Sequence, residues 1–224
     1  MAKIRTICID TLTAIQTEAW MTSEKKPGHD DWMDTGKGIW QLASALQDRG
    51  FYVLYILGEP GTGKSTGMRT FLTKTNIWFN VDNKNPVWVG GKQEYGNKNA
   101  PTLPYHVVPK SYAEIINHVD VVQERGLFEE EKFAILTAHI EDYKSGALNK
   151  KRLKTIGKVS TKMQLESKAE TVLYAEVINN GSSVSYILAT QNDGTNTARS
   201  PMGLFEHYNN NYCCLIQKIF YLIY

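Results

Sequence analysis

The sequence predicts an α/β fold with three layers, in which helices cover a mostly parallel central sheet that ends in an antiparallel hairpin. Two apolar runs, at residues 51–57 and 133–140, have the length and continuous hydrophobicity of parallel strands buried on both faces. Two later runs, at 171–178 and 184–190, are joined through the Asn-Asn-Gly sequence at 179–181, which is a strong hairpin signal. Helical spacing between the strands predicts the outer layers.

The length and composition predict one main domain. A chain of 224 residues with 42% hydrophobic content can bury a sizeable core as a single unit, which we assign to residues 1–206. Residues 207–224 form an apolar tail of unknown role. The net charge of +2 is too small to indicate a nucleic-acid partner by itself, so such a partner has to be argued from where the basic residues lie.

Cysteine usage and hydropathy bear on the compartment. The three cysteines are Cys8, Cys213 and Cys214, and neighbouring cysteines seldom pair with one another, so a disulfide framework is not expected. We therefore expect a reducing, cytoplasmic environment. No stretch approaches the ~20 apolar residues of a membrane span, and we expect no membrane association.

The remaining elements follow from apolar spacing and end signals. In chain order they are a strand at 4–10, a helix containing Leu12, Ile15 and Ala19, a polar surface loop at 22–31, a helix at 36–49, a strand at 76–81, a short strand at 105–108 and a helix at 111–125. Gly50 ends the second helix, and Ser111 with Glu114 forms the capping box that begins the last one.

The most informative motif follows the apolar run at 51–57. Gly58, Gly63, Lys64 and Ser65 satisfy the G-x-x-x-x-G-K-[ST] pattern of a phosphate-binding P-loop. Small residues let successive backbone N–H groups surround phosphates, Lys64 adds a positive charge for the β- and γ-phosphates, and the Ser65 hydroxyl can ligate Mg²⁺. We predict a helix at 65–73 after the loop, and a site for ATP and Mg²⁺. The candidate binding residues are Gly58, Glu59, Pro60, Gly61, Thr62, Gly63, Lys64, Ser65 and Thr66.

An acidic residue should complete the metal site. Asp10 ends the apolar strand at 4–10, which is the place of a Walker B carboxylate that holds Mg²⁺. A strand-end aspartate that caps a turn is an equally good interpretation. Asp82, at the end of the strand at 76–81, could also contact the nucleotide or Mg²⁺, although a turn-forming role is the commoner one.

Several polar residues are candidates for sensing the γ-phosphate or orienting the attacking water. Thr137, His139 and Glu141 lie at the end of the strand at 133–140, and of these we favour His139 and Glu141. Gln191 follows the last strand and Arg199 lies further on, where it could act across a subunit interface as an arginine finger. The alternative for His139 is a hydrogen-bonded core histidine. The alternative for Glu141, Gln191 and Arg199 is that they are loop residues without a role at the site.

One stretch, at residues 144–168, is strongly basic. It contains Lys144, Lys150, Lys151, Arg152, Lys154, Lys158, Lys162 and Lys168 against only Glu166. Such density suits a polyphosphate or nucleic-acid backbone, and a solvated basic surface is the alternative.

Six sequence segments together carry a family resemblance. They are IDTLTAIQ, GEPGTGKS, VDNKNPVW, AHIEDYKSG, KRLKTIGKVSTKMQLE and TQNDGTNTARSPMG. They resemble bacteriophage-encoded P-loop ATPases with a RecA-like or AAA-type core, the group that includes phage single-strand-annealing recombinases, over most of residues 3–206. The resemblance implies that Lys64 and Ser65 bind phosphate and Mg²⁺, that Asp10 is the Walker B acid, and that Gln191 and Arg199 belong to the nucleotide-sensing end of the sheet.

The chain order differs from the usual RecA-like order, in which the P-loop strand precedes the Walker B strand. Either the core is permuted, which a sheet allows because it needs strands side by side and not in one chain order, or the acid is Glu141 or Asp142.

We therefore expect a phage ATPase that acts in DNA recombination or replication and couples its nucleotide state to single-stranded DNA, as a homo-oligomer. The alternatives are a nucleotide-dependent switch or assembly factor without DNA binding, and a small-molecule kinase.

Overall fold

A computed structural model describes residues 3–21, 29–70, 73–97, 99–101, 105–155, 164–201 and 205. Within these residues the strands are β1 (Ile4–Asp10), β2 (Phe51–Gly58), β3 (Asn76–Asn80), β4 (Gly96–Asn97), β5 (Ala100–Pro101), β6 (His106–Val107), β7 (Phe128–Ala138), β8 (Ile140–Ser145), β9 (Leu148–Leu153), β10 (Thr171–Asn179) and β11 (Val184–Ala189). The α-helices are α1 (Leu12–Met21), α2 (His29–Asp48), α3 (Gly91–Tyr95) and α4 (Tyr112–Glu124). Three 3₁₀ turns lie at Ser65–Thr70, Thr73–Thr75 and Leu165–Lys168.

Seven of these strands form one central sheet in the order β11-β10-β2-β7-β1-β3-β6. Every neighbouring pair is parallel except β10 and β11, which are antiparallel. The predicted α/β class, the mostly parallel sheet and the late hairpin are confirmed. Strand β2 and residues 133–138 of β7 are almost continuously buried, as expected of parallel strands in the centre of a sheet, whereas residues 129–132 of β7 are charged and at least partly exposed.

The two faces of the sheet bury separate apolar clusters. On one face, Ile7, Ile9, Val53 and Tyr55 pack with apolar residues of α1, α2 and α4. On the other face, the alternate residues Cys8, Leu54 and Ile56 pack with Trp78, Tyr95 and Phe205. This arrangement is compatible with three layers. No helix in the described part of the chain is long and apolar enough to cross a membrane.

Helix ends follow the predicted signals in part. The Ser111 hydroxyl accepts a hydrogen bond from the Glu114 amide, 3.2 Å, as predicted for the start of α4. The Glu114 carboxylate does not return to Ser111 but accepts from the Lys110 amide at 2.7 Å.

Helix α2 begins at His29, so the prediction of a loop at 22–31 was wrong for residues 29–31, while residues 22–28 lie outside the described part.

The segment after the glycine-rich loop is the main local difference from the prediction. A 3₁₀ turn at Ser65–Thr70 replaces the α-helix predicted for residues 65–73, of which 71 and 72 lie outside the described residues. Glycine and threonine at Thr66, Gly67 and Thr70 are poor helix formers, which is one physical reason for the difference.

A second hairpin was not predicted. The strand expected at 133–140 runs from Phe128 to Ala138, and β8 and β9 then form a separate antiparallel pair. The polar and basic composition of residues 144–153 hid this hairpin. Only Ile140 and Leu153, which face each other at its base, are buried in the core.

Candidate functional site

A cavity of about 770 Å³ lies at the carboxyl ends of the central strands. This is where ligands bind in open parallel α/β sheets. Its lining residues come from β1, the loop after β2, the loop after β3, the end of β7, and β11. They are Asp10, Thr11, Pro60, Gly61, Gly63, Lys64, Ser65, Thr66, Gly67, Asp82, Lys84, Val87, His139 and Tyr186.

The glycine-rich loop depends on its glycines at specific positions. A Cβ on Gly58 would lie 2.6 Å from the Ala175 carbonyl oxygen, so only glycine fits where β2 passes β10. Gly61 and Gly63 have φ angles of 82° and 85°, which side-chain-bearing residues rarely adopt. The Thr62 hydroxyl donates to the Glu59 carbonyl at 2.8 Å and closes the turn. The loop geometry therefore requires the glycines of the motif.

Lys64 is buried within this loop. Its side chain is 7% exposed, and its ammonium donates to the carbonyl oxygens of Gly58 at 2.8 Å and Glu59 at 2.7 Å. Burial lowers the pKa of Lys64 to about 8, against the opposing attraction of Asp10 and Glu59. The lysine thus lies at the cavity wall as a desolvated cation, and phosphate oxygens would satisfy it better than neutral carbonyl groups.

Asp10 is held in place by β7, the strand that lies between Asp10 and the glycine-rich loop. It ends β1, is 8% exposed, and accepts a hydrogen bond of 2.6 Å from the Thr137 hydroxyl of β7. The Thr11 hydroxyl in turn donates to the Thr137 carbonyl oxygen at 3.1 Å. Because β7 separates β2 from β1, Asp10 faces the glycine-rich loop across one strand and lines the same cavity.

The donor set at this point suits Mg²⁺ bound together with a phosphate ligand. The described residues hold no group of three or more His, Cys, Asp or Glu side chains arranged around a metal position. Mg²⁺ is commonly held by one or two protein oxygens with phosphates and waters completing its shell. Ser65 and Asp10, both at the cavity wall, would be those protein ligands.

His139 also lines the cavity. Burial lowers its pKa, and the nearby Lys64 charge lowers it further, so the imidazole is neutral near pH 7. Its buried Nδ1 has no hydrogen-bond partner among the described residues. The ring is also hydrogen-bonded to the Gly58 backbone, so in the neutral ring the unpaired Nδ1 is an acceptor that could bind a water.

The other predicted sensing residues lie away from the cavity wall. Glu141 is on β8 and pairs with Arg152, 2.9 Å, so it faces the hairpin. Gln191 is exposed and donates to the Ser200 hydroxyl at 3.0 Å. Arg199 is half-buried, and its guanidinium donates to the carbonyl oxygens of Glu166 and, at 2.7 Å, Ala169. The structure does not bring these three into the cavity, and Asp142, the other alternative acid, is not among the residues that line it. A sensing role for them stays a prediction.

Five lining residues received no role from the sequence: Thr11, Gly67, Lys84, Val87 and Tyr186. Asp82, weighed above as a possible ligand residue, lines the cavity as well. Asp82 and Lys84 follow a buried strand whose carboxyl end meets the same sheet edge as β1, which is the available sequence signal. Nothing local in the sequence of β11 indicated Tyr186.

The basic stretch is partly neutralised in the fold. Arg152 pairs with Glu141, and the Lys151 ammonium lies 3.9 Å from the Glu176 carboxylate. Lys144 and Lys154 are exposed. Residues 156–163, including Lys158 and Lys162, lie outside the described residues. The hairpin is tied to the cavity, because the Lys154 amide donates to the His139 carbonyl oxygen at 2.8 Å.

Comparison with known proteins finds no match to a protein-family model, a curated protein or a solved structure.

Proposed function

We propose that this protein binds ATP with Mg²⁺ in the cavity and hydrolyses it. The observation that carries the proposal is that Asp10, which is distant in the chain from Lys64 and Ser65, lines one cavity with them beside a glycine-rich loop. In this arrangement the loop amides and Lys64 hold the β- and γ-phosphates, and Ser65 with Asp10 holds the metal. The glycines at 58, 61 and 63 make the loop backbone accessible to phosphate.

The sheet order supports Asp10 over Glu141 or Asp142 as the metal-binding acid. Asp10 lines the cavity and is oriented by Thr137, whereas Glu141 is paired with Arg152 in the hairpin. In this proposal the core is permuted, since β1 precedes the P-loop strand in the chain but lies two positions from it in the sheet.

We assign His139 to the hydrolytic step in this proposal. It follows β7, which lies between the P-loop strand and the Asp10 strand. In our proposal the Nδ1 of its neutral imidazole accepts a hydrogen bond from the attacking water. Proximity and electrostatic stabilisation supply most of the rate in phosphoryl transfer, so positioning is the expected contribution of this residue.

Replacing Lys64 by Ala tests the proposal. We expect ATP turnover to be lost while the far-UV circular dichroism spectrum is retained, because only the phosphate-binding cation is removed. Lys92→Ala is the matched control, since Lys92 is exposed and does not line the cavity. ATP turnover in Lys64→Ala at the wild-type rate, or wild-type protein without ATP turnover and binding, would overturn the assignment.

We propose further that nucleotide state is coupled to single-stranded DNA through the β8–β9 hairpin. Two observations favour this: Lys144 and Lys154 are exposed on it, and the Lys154 amide is bonded to the His139 carbonyl beside the cavity. A change at His139 on nucleotide binding would therefore be transmitted to the base of the hairpin.

Salt dependence of DNA binding separates this proposal from a switch that binds no DNA. Phosphate contacts release counterions, so replacing Lys144, Lys150 and Lys154 by Ala should reduce the salt slope by roughly 2, at about 0.7 per phosphate for single strands. Lys151 and Arg152 face Glu176 and Glu141, so their double Ala variant should change the slope less. A wild-type slope in the triple variant, or no DNA binding by wild-type protein with ATP, would favour the switch.

A further inference from the structure

The backbone of Lys84 is clamped by a single buried side chain. The Asn80 amide nitrogen donates to the Lys84 carbonyl oxygen at 2.6 Å, and the Asn80 amide oxygen accepts from the Lys84 N–H at 3.1 Å. Asn80 itself is 1% exposed. Both polar groups of the Lys84 backbone are therefore bonded by one asparagine, which fixes where the lysine leaves the loop.

The clamp is held in place by a second layer of contacts. The Asn80 amide nitrogen also lies 3.0 Å from His106 Nε2, and His106 Nδ1 lies 2.7 Å from the Tyr95 carbonyl oxygen. The His106 ring is fully buried and stacks on Trp78 with 4.6 Å between ring centroids. Such a chain of buried, paired polar groups makes the position of Lys84 well defined.

The side chain of Lys84 lines the cavity. Its ammonium is paired with the Asp82 carboxylate at the cavity wall, and the Lys84 side chain is still 67% exposed. Lys64 lines the same cavity. The loop is also joined to the acid strand, because the Val81 amide donates to the Asp10 carbonyl oxygen at 2.9 Å.

The strand order sets the order in which residues line the cavity from one side to the other. From one side of the cavity to the other, the lining residues are Tyr186 on β11, the glycine-rich loop after β2, His139 after β7, Asp10 on β1, and Lys84 after β3. If Asp10 holds a metal beside the phosphates, as proposed above, the terminal phosphate would lie on the side of Asp10 and Lys84, and the nucleoside on the side of the glycine-rich loop and β11.

We propose that Lys84 is a second phosphate-binding lysine, which exchanges its pairing with Asp82 for the terminal phosphate of a bound triphosphate. This inference rests on the nucleotide binding proposed above. Lys64 meets the phosphates from the glycine-rich loop, and Lys84 meets the terminal one from the opposite side. The protein thereby distinguishes a nucleoside triphosphate from a diphosphate, since only the triphosphate reaches Lys84.

The test compares a non-hydrolysable ATP analogue, AMP-PNP, with ADP. Binding of each with Mg²⁺ is measured by isothermal titration calorimetry for wild type, Lys84→Ala and Lys84→Arg. A charge-assisted hydrogen bond is lost in Lys84→Ala, so its AMP-PNP affinity should fall roughly tenfold or more, while its ADP affinity stays within about twofold. Lys84→Arg should retain most of the AMP-PNP affinity because the charge is kept. Lys92→Ala, which removes an exposed charge outside the cavity, should change neither ligand.

The outcomes separate this inference from the proposed function. Equal losses for both ligands in Lys84→Ala, or no loss, would overturn the role of Lys84 while leaving nucleotide binding in place. Wild-type protein that binds neither AMP-PNP nor ADP would overturn the proposed function and this inference with it. Because the Lys84 side chain is largely exposed, the Lys84→Ala variant should have the same thermal unfolding midpoint as the wild type. That result excludes misfolding as the cause of a lower AMP-PNP affinity.

Discussion

Nucleotide affinity should depend on pH through Lys64. Its pKa is lowered to about 8 in the free protein because the ammonium is desolvated. Bound phosphates would favour the charged form and raise that pKa. Binding above pH 8 must therefore be accompanied by proton uptake, which weakens the apparent affinity as the pH rises.

The size of this effect follows from the pKa. With a value of about 8, about nine tenths of Lys64 is charged at pH 7 and about one tenth at pH 9, so the affinity should fall roughly tenfold between them. The other groups facing Lys64 are Asp10, Glu59, Lys84 and His139. His139 is neutral throughout this range because burial lowers its pKa.

Titration calorimetry with Mg²⁺ and AMP-PNP measures both parts of this prediction. Affinities at pH 7 and pH 9 give the fall, and buffers of different ionisation enthalpy give the number of protons taken up, which should be about one at pH 9. Lys64→Arg is the control, since a guanidinium stays charged across the range and should remove the pH dependence. Equal wild-type affinity at the two pH values would refute the reasoning.

Three further predictions follow from the same contacts. In Gly58→Ala the new Cβ would lie 2.6 Å from the Ala175 carbonyl oxygen. We therefore expect a loss of roughly 1–3 kcal/mol in unfolding free energy and weaker AMP-PNP binding. Unchanged thermal unfolding and unchanged AMP-PNP binding would contradict this. Thr137→Val removes the hydroxyl that donates to Asp10, so the Mg²⁺ concentration for half-maximal nucleotide binding should rise several-fold, and an unchanged requirement would show that Thr137 does not orient the acid. Burial lowers the pKa of His106. The free energy that its neutral ring contributes to folding is therefore complete above the unfolded-state pKa of about 6.5 and is lost as the pH falls through that value. The thermal unfolding midpoint of the wild type should fall more from pH 7.5 to pH 5 than that of His106→Leu.

Local signals in the sequence were enough for the parallel sheet and the glycine-rich loop. The apolar runs of β2 and β7 have no polar face, which only strands covered on both sides can tolerate. The turn residues after β10 predict the hairpin to β11 because their backbone conformation suits a tight reversal. The positions of Gly58, Gly63 and Lys64 in the motif likewise follow from chemistry within a few residues.

The sequence was less informative where composition and structure disagree. The hairpin of β8 and β9 is polar over most of its length, and its pairing depends on backbone hydrogen bonds that no hydrophobic pattern reports. The basic stretch appeared unpaired because its acidic neighbours come from elsewhere: Glu141 from the opposite strand of the hairpin, and Glu176 from β10.

The sequence by itself determined that the chain is an α/β protein with a glycine-rich loop after β2, because those properties depend on neighbours along the chain. Only the tertiary structure decided which side chains share the cavity. Asp10 and Lys64 line one cavity because β1 and β2 lie on either side of β7, and Lys84 lines it too because Asn80 fixes its backbone at the end of β3. The physical reason is that strand order brings together residues distant in the chain, and no local pattern of hydrophobicity specifies that order.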